Sequence, residues 1–287
     1  MKKFGDRKDG KLLRSQDAMH LILNNLLPKR TQCETFITKM IDLTEAIEYL
    51  NKKNAKGFEH KISMFELIAA VLAKTTVLRP RLNYFIVNKK TYERNYHAVS
   101  FVVKKKFEDN SEESMANIRF EKEDDLSTFH EKVSSKIYIL KKDEFDEGNK
   151  DVDLVNKIPN FLLKVVFPIV RFLDKHGKLP QSIMDDDPNY SSVFLTNLGS
   201  IGLDAGYHHL SEWGTNSFFC IVGLIKKRPF YKDDGSFEMN DSVELGIVAD
   251  ERIADGYYFA KSIRLAEYLF QHPEELEKPF LETVNYE

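Results

Sequence analysis

The stretch SMFELIAAVLAKTTVL, residues 63–78, sets the tightest limit on the fold. Its apolar residues fall on most faces of a helix instead of on one stripe. Such a helix is stable only when other elements enclose it. Enclosure on several sides requires a layered architecture with a large apolar sheet or several helices around it. Ser63 before the run and Pro80 after it mark the two ends. The chain can supply the enclosure: it has 287 residues, 42% of them apolar, with 21 Phe and 12 Tyr. That is enough for one large domain or two ordinary ones, and a disordered chain would not carry so many large apolar side chains.

Around this helix the sequence alternates between strand and helix patterns. SQDAMHLILNNLLPKR (15–30) predicts a helix capped by Ser15 and closed by Pro28, TFITKMIDLT (35–44) a strand, and TEAIEYLNKKNAKG (44–57) a helix with Thr44 as cap. RLNYFIVNKKTYERNY (81–96) predicts two strands about a turn at Asn88-Lys89-Lys90, followed by strands over 97–107 and 115–121 with an acidic turn at 108–114 between them. A helix over 125–140 runs into a solvated charge run at 141–151, and residues 152–176 are helical with a kink or break at Pro168. VFLTNLGSIG (193–202), SFFCIVGLI (217–225) and VELGIVAD (243–250) read as strands, and residues 256–271 as the last long helix. No composition break or repeat divides the chain. The expectation is α/β: one domain over residues 1–287, a two-layer fold with a mixed β-sheet packed by helices.

Several function classes are excluded by what is missing. The net charge is −3, so no global field recruits nucleic acid. Cys33 and Cys220 stand far apart, without a CxxC pair, and read as two reduced thiols. The N-terminus MKKFGDRKDGK has no apolar core of a signal peptide. FLLKVVFPIVRFL (161–173) is interrupted by Lys164, Pro168 and Arg171 and is too short to span a bilayer. It is expected to pack in the fold, with a membrane-surface helix as the alternative. The expected protein is cytoplasmic, with no membrane, nucleic-acid or metal partner.

Three constellations carry possible chemistry. In VADERIADGYYFAKSIRLAEYL (248–269), Asp250-Glu251-Arg252 sits at a strand end before Asp255-Gly256 and a helix. A charged turn with Asp255 as helix cap is the plainer reading; a catalytic turn on rigid elements is the other. In VFLTNLGSIG, the hydroxyl of Thr196 before a Gly turn could donate to an oxyanion, or the segment is simply a strand ending in a turn. In AGYHHLSEWGT (205–215), His208 and His209 are adjacent, so in a regular strand they would face opposite sides, and no HxH or HxxxH spacing favours a metal.

Taken together and in order, FLTNLGSIG, FFCIVG and D-x-R-x-x-D-G resemble the catalytic domain of the dihydrolipoyl acyltransferases of 2-oxoacid dehydrogenase complexes, and the chloramphenicol acetyltransferase fold they share. TFITKMIDLTEAIEYL and KISMFELIAAVLAKTTVLRPRLN resemble that family's first strand and helix and its buried helix ending in a Pro-x-x-Asn turn. The resemblance covers about residues 14–280 and no lipoyl or subunit-binding domain, which implies a free-standing homotrimer with the active site between subunits. It implies an acyl group moved from acyl-CoA to a small-molecule or lipoyl thiol or hydroxyl acceptor. It also implies that Thr196 stabilises the tetrahedral oxyanion and that Asp255 holds the catalytic loop through an N-terminal arginine, matched here by Arg14. It assigns no CoA-contacting residue.

The departure lies at the base. The family motif is Asp-His-Arg-x-x-Asp-Gly, and Glu251 stands where its His would be. A glutamate accepts protons with an unperturbed pKa of about 4.3, against about 6.5 for His, so it is the weaker base toward a thiol at about 8.5. Burial and the flanking carboxylates of Asp250 and Asp255 would raise it. The polar YHHLSEWGT stretch offers a second expectation, that His208 or His209 supplies the missing imidazole. The alternative to an enzyme is a non-catalytic relative that keeps the trimer as a binding or assembly protein.

Overall fold

The computed structural model describes residues 3–55, 57, 60–104, 113–142 and 159–286. In chain order its elements are β1 (Gly10–Leu12), α1 (Ala18–Leu26), β2 (Glu34–Asp42), α2 (Thr44–Asn54), α3 (Met64–Leu78), β3 (Tyr84–Val87), β4 (Lys90–Arg94), β5 (His97–Lys104), β6 (Glu113–Phe120), α4 (Leu126–Lys142), α5 (Asn160–Lys175), α6 (Gln181–Asp186), β7 (Val193–Asn197), β8 (Phe218–Val222), β9 (Lys226–Tyr231), β10 (Phe237–Asp250) and α7 (Gly256–Gln271). The expected acidic turn at 108–114 falls mostly outside the described residues, as do most of the charge run at 141–151 and the first part of the 152–176 helix.

The enclosed helix is α3. Ser63 accepts from the Glu66 amide at 3.2 Å while the Glu66 carboxylate accepts from the Ser63 amide at 2.7 Å, a reciprocal cap. Every residue from Glu66 to Thr76 is buried. The enclosure comes from a seven-stranded mixed sheet in the order β2-β10-β8-β7-β5-β6, with β9 on the outer half of β10. Strand β7 runs parallel to β5 and β8, and the remaining neighbours are antiparallel. One face of this sheet points Val243, Leu245, Ile247 and Ala249 of β10, with Cys220 of β8 and Leu195 of β7, into a core shared with α2, α3, α4 and α7. This is the α/β two-layer arrangement expected. A smaller antiparallel sheet, β1-β4-β3, stands beside it. Its β3–β4 hairpin turns on Asn88 and Lys89, both at positive φ (55° and 62°), the backbone twist that two-residue hairpins favour.

The other face of the large sheet carries Phe194, Phe219, Ile221 and Val248, covered in part by Leu210 and Ala205. The chain at 205–206 lies so close that a Cβ on Gly246 would fall 2.0 Å from the Gly206 carbonyl oxygen. A glycine inside a strand is explained there by the approach of a second backbone.

Four local expectations are corrected. Helix α1 starts at Ala18 under Asp17, whose carboxylate accepts from the His20 amide at 3.0 Å, so Ser15 is not its cap. Thr44 does not cap α2: its amide and hydroxyl both donate to Asp42, at 2.9 and 2.6 Å. Strand β10 begins at Phe237, because Phe237–Ser242 pair residue for residue with β9. Of the kink or break expected at Pro168, the break does not occur: helix α5 runs through it, and Pro168 is exposed, so the carbonyl it leaves unbonded is on the water side. Nor is α5 packed all round. Val170 and Leu173 meet Leu179, Met184 and Tyr190, and the opposite face is bare.

His97, at the start of β5, is buried. Arg94 donates to the Asn83 Oδ1 at 3.1 Å, which turns the Asn83 amide nitrogen toward His97 Nδ1 at 3.4 Å and makes that nitrogen an acceptor in a neutral ring. Burial, then the charges of Lys122 and Arg94, push its pKa from 6.5 down to about 4. The unfolded chain therefore binds a proton near pH 6.5 that the folded chain refuses until about pH 4, and stability is lost as pH falls through that window. The expected loss is about 3 kcal/mol by pH 4. Urea unfolding at stepped pH should show a shallower slope over this window in His97→Gln than in the wild type.

Candidate active site

The turn after β10 is built by its charged residues. Asp250 is fully buried, and its carboxylate takes a two-pronged bond from Arg252, Nε to Oδ1 at 2.8 Å and Nη2 to Oδ2 at 2.6 Å, with the Arg252 amide on Oδ1 at 3.1 Å. Arg252 is only 1% exposed and also donates from Nη1 to the Leu27 carbonyl at 2.9 Å. Burial alone would lower its pKa; the hydrogen bonds and charge of Asp250 outweigh that and raise it. A second buried guanidinium, Arg30, lies with its Nε 4.0 Å from Asp250 Oδ2; here burial prevails over the nearby carboxylates and its pKa is lowered. Asp255 caps α7, accepting from the Tyr258 amide at 2.8 Å. Glu251 anchors by its backbone, its amide donating to the Cys33 carbonyl at 2.8 Å, and its side chain is exposed. The buried, doubly acidic surroundings expected for Glu251 are therefore not what one chain provides. Asp250 is turned inward and paired, and Asp255 is spent on the helix end.

Arg14 is not the partner of Asp255. Its guanidinium bonds Asp6 at 3.0 Å and the carbonyls of Phe4 and Leu12. The cation beside Asp255 is Arg81, 3.9 Å away, from the turn after α3. The correction has a simple cause: β1 and the chain before it form their own closed loop around Asp6, which takes the arginine locally.

Thr196 is half-buried on β7, on the same sheet face as Phe194. It pairs with Ile221, which pairs with Gly246, four residues before Asp250 on β10. Two strand spacings across and four residues along separate Thr196 from Asp250 by about 16 Å. One chain does not bring Thr196 and Glu251 together.

The two histidines lie on an irregular segment, not a strand, and still diverge. His208 stacks on Phe219, ring centroids 4.7 Å apart and planes at 10°, and Phe219 stacks on Phe194. His208 is thus on the Thr196 face. His209 is turned away, its Nδ1 3.1 Å from Glu34 Oε2 and its side chain 82% exposed. Among the described residues no group of three or more His, Cys, Asp or Glu gathers to hold a metal ion. Both thiols are buried, and burial pushes Cys33 up to about 11 and Cys220 up to about 12.

A cleft of about 180 Å³ that the sequence did not reveal opens beside the turn, walled by Arg252, Ile253, Arg81, Tyr84 and Thr91 and by Asp17 and His20 of the α1 start. His20 Nδ1 meets Asp17 Oδ2 at 2.6 Å, which orients the imidazole. The D-x-x-H spacing at a helix start is visible in the sequence; its place next to the turn depends on the fold.

No family model matches the chain. No curated protein matches it either. Solved structures do. A probable dihydrolipoamide acetyltransferase from Listeria monocytogenes is 16% identical with a TM-score of 0.60, covering 99% of this chain and 100% of that one. A truncated catalytic core of the 2-oxoacid dehydrogenase multienzyme complex from Thermoplasma acidophilum is 14% identical with a TM-score of 0.56, covering 92% of this chain and 99% of that one. A chloramphenicol acetyltransferase is 11% identical with a TM-score of 0.51, covering 95% and 100%. The chain has the fold of these acetyltransferases.

Proposed function

We propose that this chain transfers an acyl group from acyl-CoA to a thiol or hydroxyl acceptor, with Glu251 as general base and Thr196 as oxyanion donor. The observation that carries the reading is the construction of the turn. Asp250, Arg252 and Asp255 are consumed in holding it, and the side chain left facing outward is a proton acceptor. The fold shared with acetyltransferases supports acyl transfer as the reaction class. In the reaction the Glu251 carboxylate takes the acceptor proton, the thiolate or alkoxide attacks the thioester carbonyl, and the Thr196 hydroxyl donates to the resulting oxyanion before CoA thiolate leaves.

Thr196 and Asp250, the neighbour of Glu251, stand about 16 Å apart across the sheet, so we assign the meeting of Glu251 and Thr196 to a contact between copies, Glu251 of one chain facing Thr196 of another. A homotrimer is the assembly we assign. We assign any imidazole at this site to His208, because it stacks on Phe219 on the Thr196 face while His209 is turned away.

The test is release of free CoA from acetyl-CoA across a panel of thiol and hydroxyl acceptors. Turnover by the wild type supports the reading. No turnover by the wild type, with turnover by Glu251→His, would mean a silenced site on an intact scaffold.

A further inference from the structure

Helix α5 has two apolar faces, and the fold uses one. Val170 and Leu173 pack beneath it, and Asp174 is fixed by Arg7 at 2.9 Å. On the opposite side Phe161, Val165, Ile169 and Phe172, spaced four, four and three residues apart, form a continuous stripe. They are 69%, 57%, 55% and 58% exposed. Large apolar side chains this open, in one row on a helix already anchored by its other face, mark a binding surface.

Charge decides what it binds. Lys164, Arg171 and Lys175, spaced seven and four residues apart, form a second exposed row along one edge of the stripe. The acid of this helix, Asp174, is buried in its ion pair, so the exposed surface of α5 is cationic on a chain whose net charge is −3. Lys164 and Arg171 also flank a groove of about 430 Å³ floored by Leu163, Phe167 and Pro168. Two cations over an apolar floor suit a phosphate with hydrocarbon attached. A second copy of the chain suits it less, because pairing two such helices would set like charges beside each other. No described helix is long and apolar enough to cross a membrane.

We propose that α5 seats the protein on an anionic phospholipid bilayer, its Phe161–Val165–Ile169–Phe172 stripe in the acyl boundary and Lys164, Arg171 and Lys175 among the headgroups. The proposal is independent of the acyl-transfer reading.

The experiment is sedimentation of the full chain with vesicles of phosphatidylcholine alone or of phosphatidylcholine with phosphatidylglycerol, beside light scattering for oligomeric state. The wild type should pellet with the phosphatidylglycerol vesicles and stay in solution with phosphatidylcholine. Reversing the row (Lys164→Glu, Arg171→Glu, Lys175→Glu) should weaken binding by about 100-fold. Phe161→Ser with Phe172→Ser should abolish it with melting temperature and particle mass unchanged, since both side chains are exposed. No binding to either vesicle, or equal binding to both, would overturn the proposal. So would a fall in particle mass in the serine variant, which would assign the face to a second copy.

Discussion

Glu251→Gln is expected to lower acyl transfer by about 10² to 10⁴, the usual contribution of a general base. The substitution is nearly isosteric and removes proton acceptance while leaving the turn standing. The Glu251 amide bonds the Cys33 carbonyl whatever the side chain is, and the ion pair that holds the turn belongs to Asp250 and Arg252. An exposed side chain with no structural duty should change stability by no more than about 0.5 kcal/mol. Loss of kcat/KM with an unchanged melting temperature is therefore the signature to look for. A Gln variant that keeps the wild-type rate would move the base elsewhere. His208 on the Thr196 face and the Asp17-oriented His20 in the neighbouring cleft are then the imidazoles to replace next. Glu251→His, which introduces the residue of the motif that this turn resembles, should raise the rate near neutral pH, because an unperturbed imidazole at about 6.5 is the better match to a thiol.

The sequence revealed most where one element decides its own conformation. Helix α3 is apolar on most faces and ends between Ser63 and Pro80, and it forms there. Asp255 reads as a helix cap and is one. It revealed least where a side chain chooses between partners that only the fold brings near. Arg14 is nearer in sequence to Asp6 than to anything on β10, and the local loop wins it, while Arg81, from the turn after α3, stands beside Asp255 at the surface. Residues 237–242 alternate only at Phe237 and Met239, both exposed, too short a pattern to mark a strand, and it is the backbone ladder to β9 that makes them one. The two-faced character of α5 was hidden for a different reason. A periodic pattern predicts that a helix has apolar faces, but not whether the rest of the chain has enough surface to cover both.

Arg252→Ala is expected to destabilise the fold by about 3 kcal/mol, the lower part of the range for breaking a buried ion pair. The cost arises from what stays behind. Asp250 is 0% exposed, and without the Arg252 guanidinium its carboxylate loses both prongs of the fork and keeps only the backbone amide of residue 252. The loss is held to the lower part because Arg30 stands 4.0 Å away with an Nε that has no hydrogen bond of its own and can move onto the orphaned carboxylate. Two further variants separate this account from simple loss of packing. Arg252→Lys should recover little, since an ammonium cannot reproduce the planar fork. Asp250→Asn with Arg252→Met should cost less than Arg252→Ala alone, because it removes the buried carboxylate together with its forked partner, while Arg30 keeps its bonds to the Ser211 and Gly214 carbonyls. Urea unfolding of the three variants checks the order. If Arg252→Ala proved the mildest, the pair would be dispensable and the turn would owe its shape to its backbone alone. The order expected here gives the matched positions of the motif a structural meaning: Asp250 and Arg252 hold the end of β10, Asp255 starts α7, and the side chain at 251 takes no part in holding the turn.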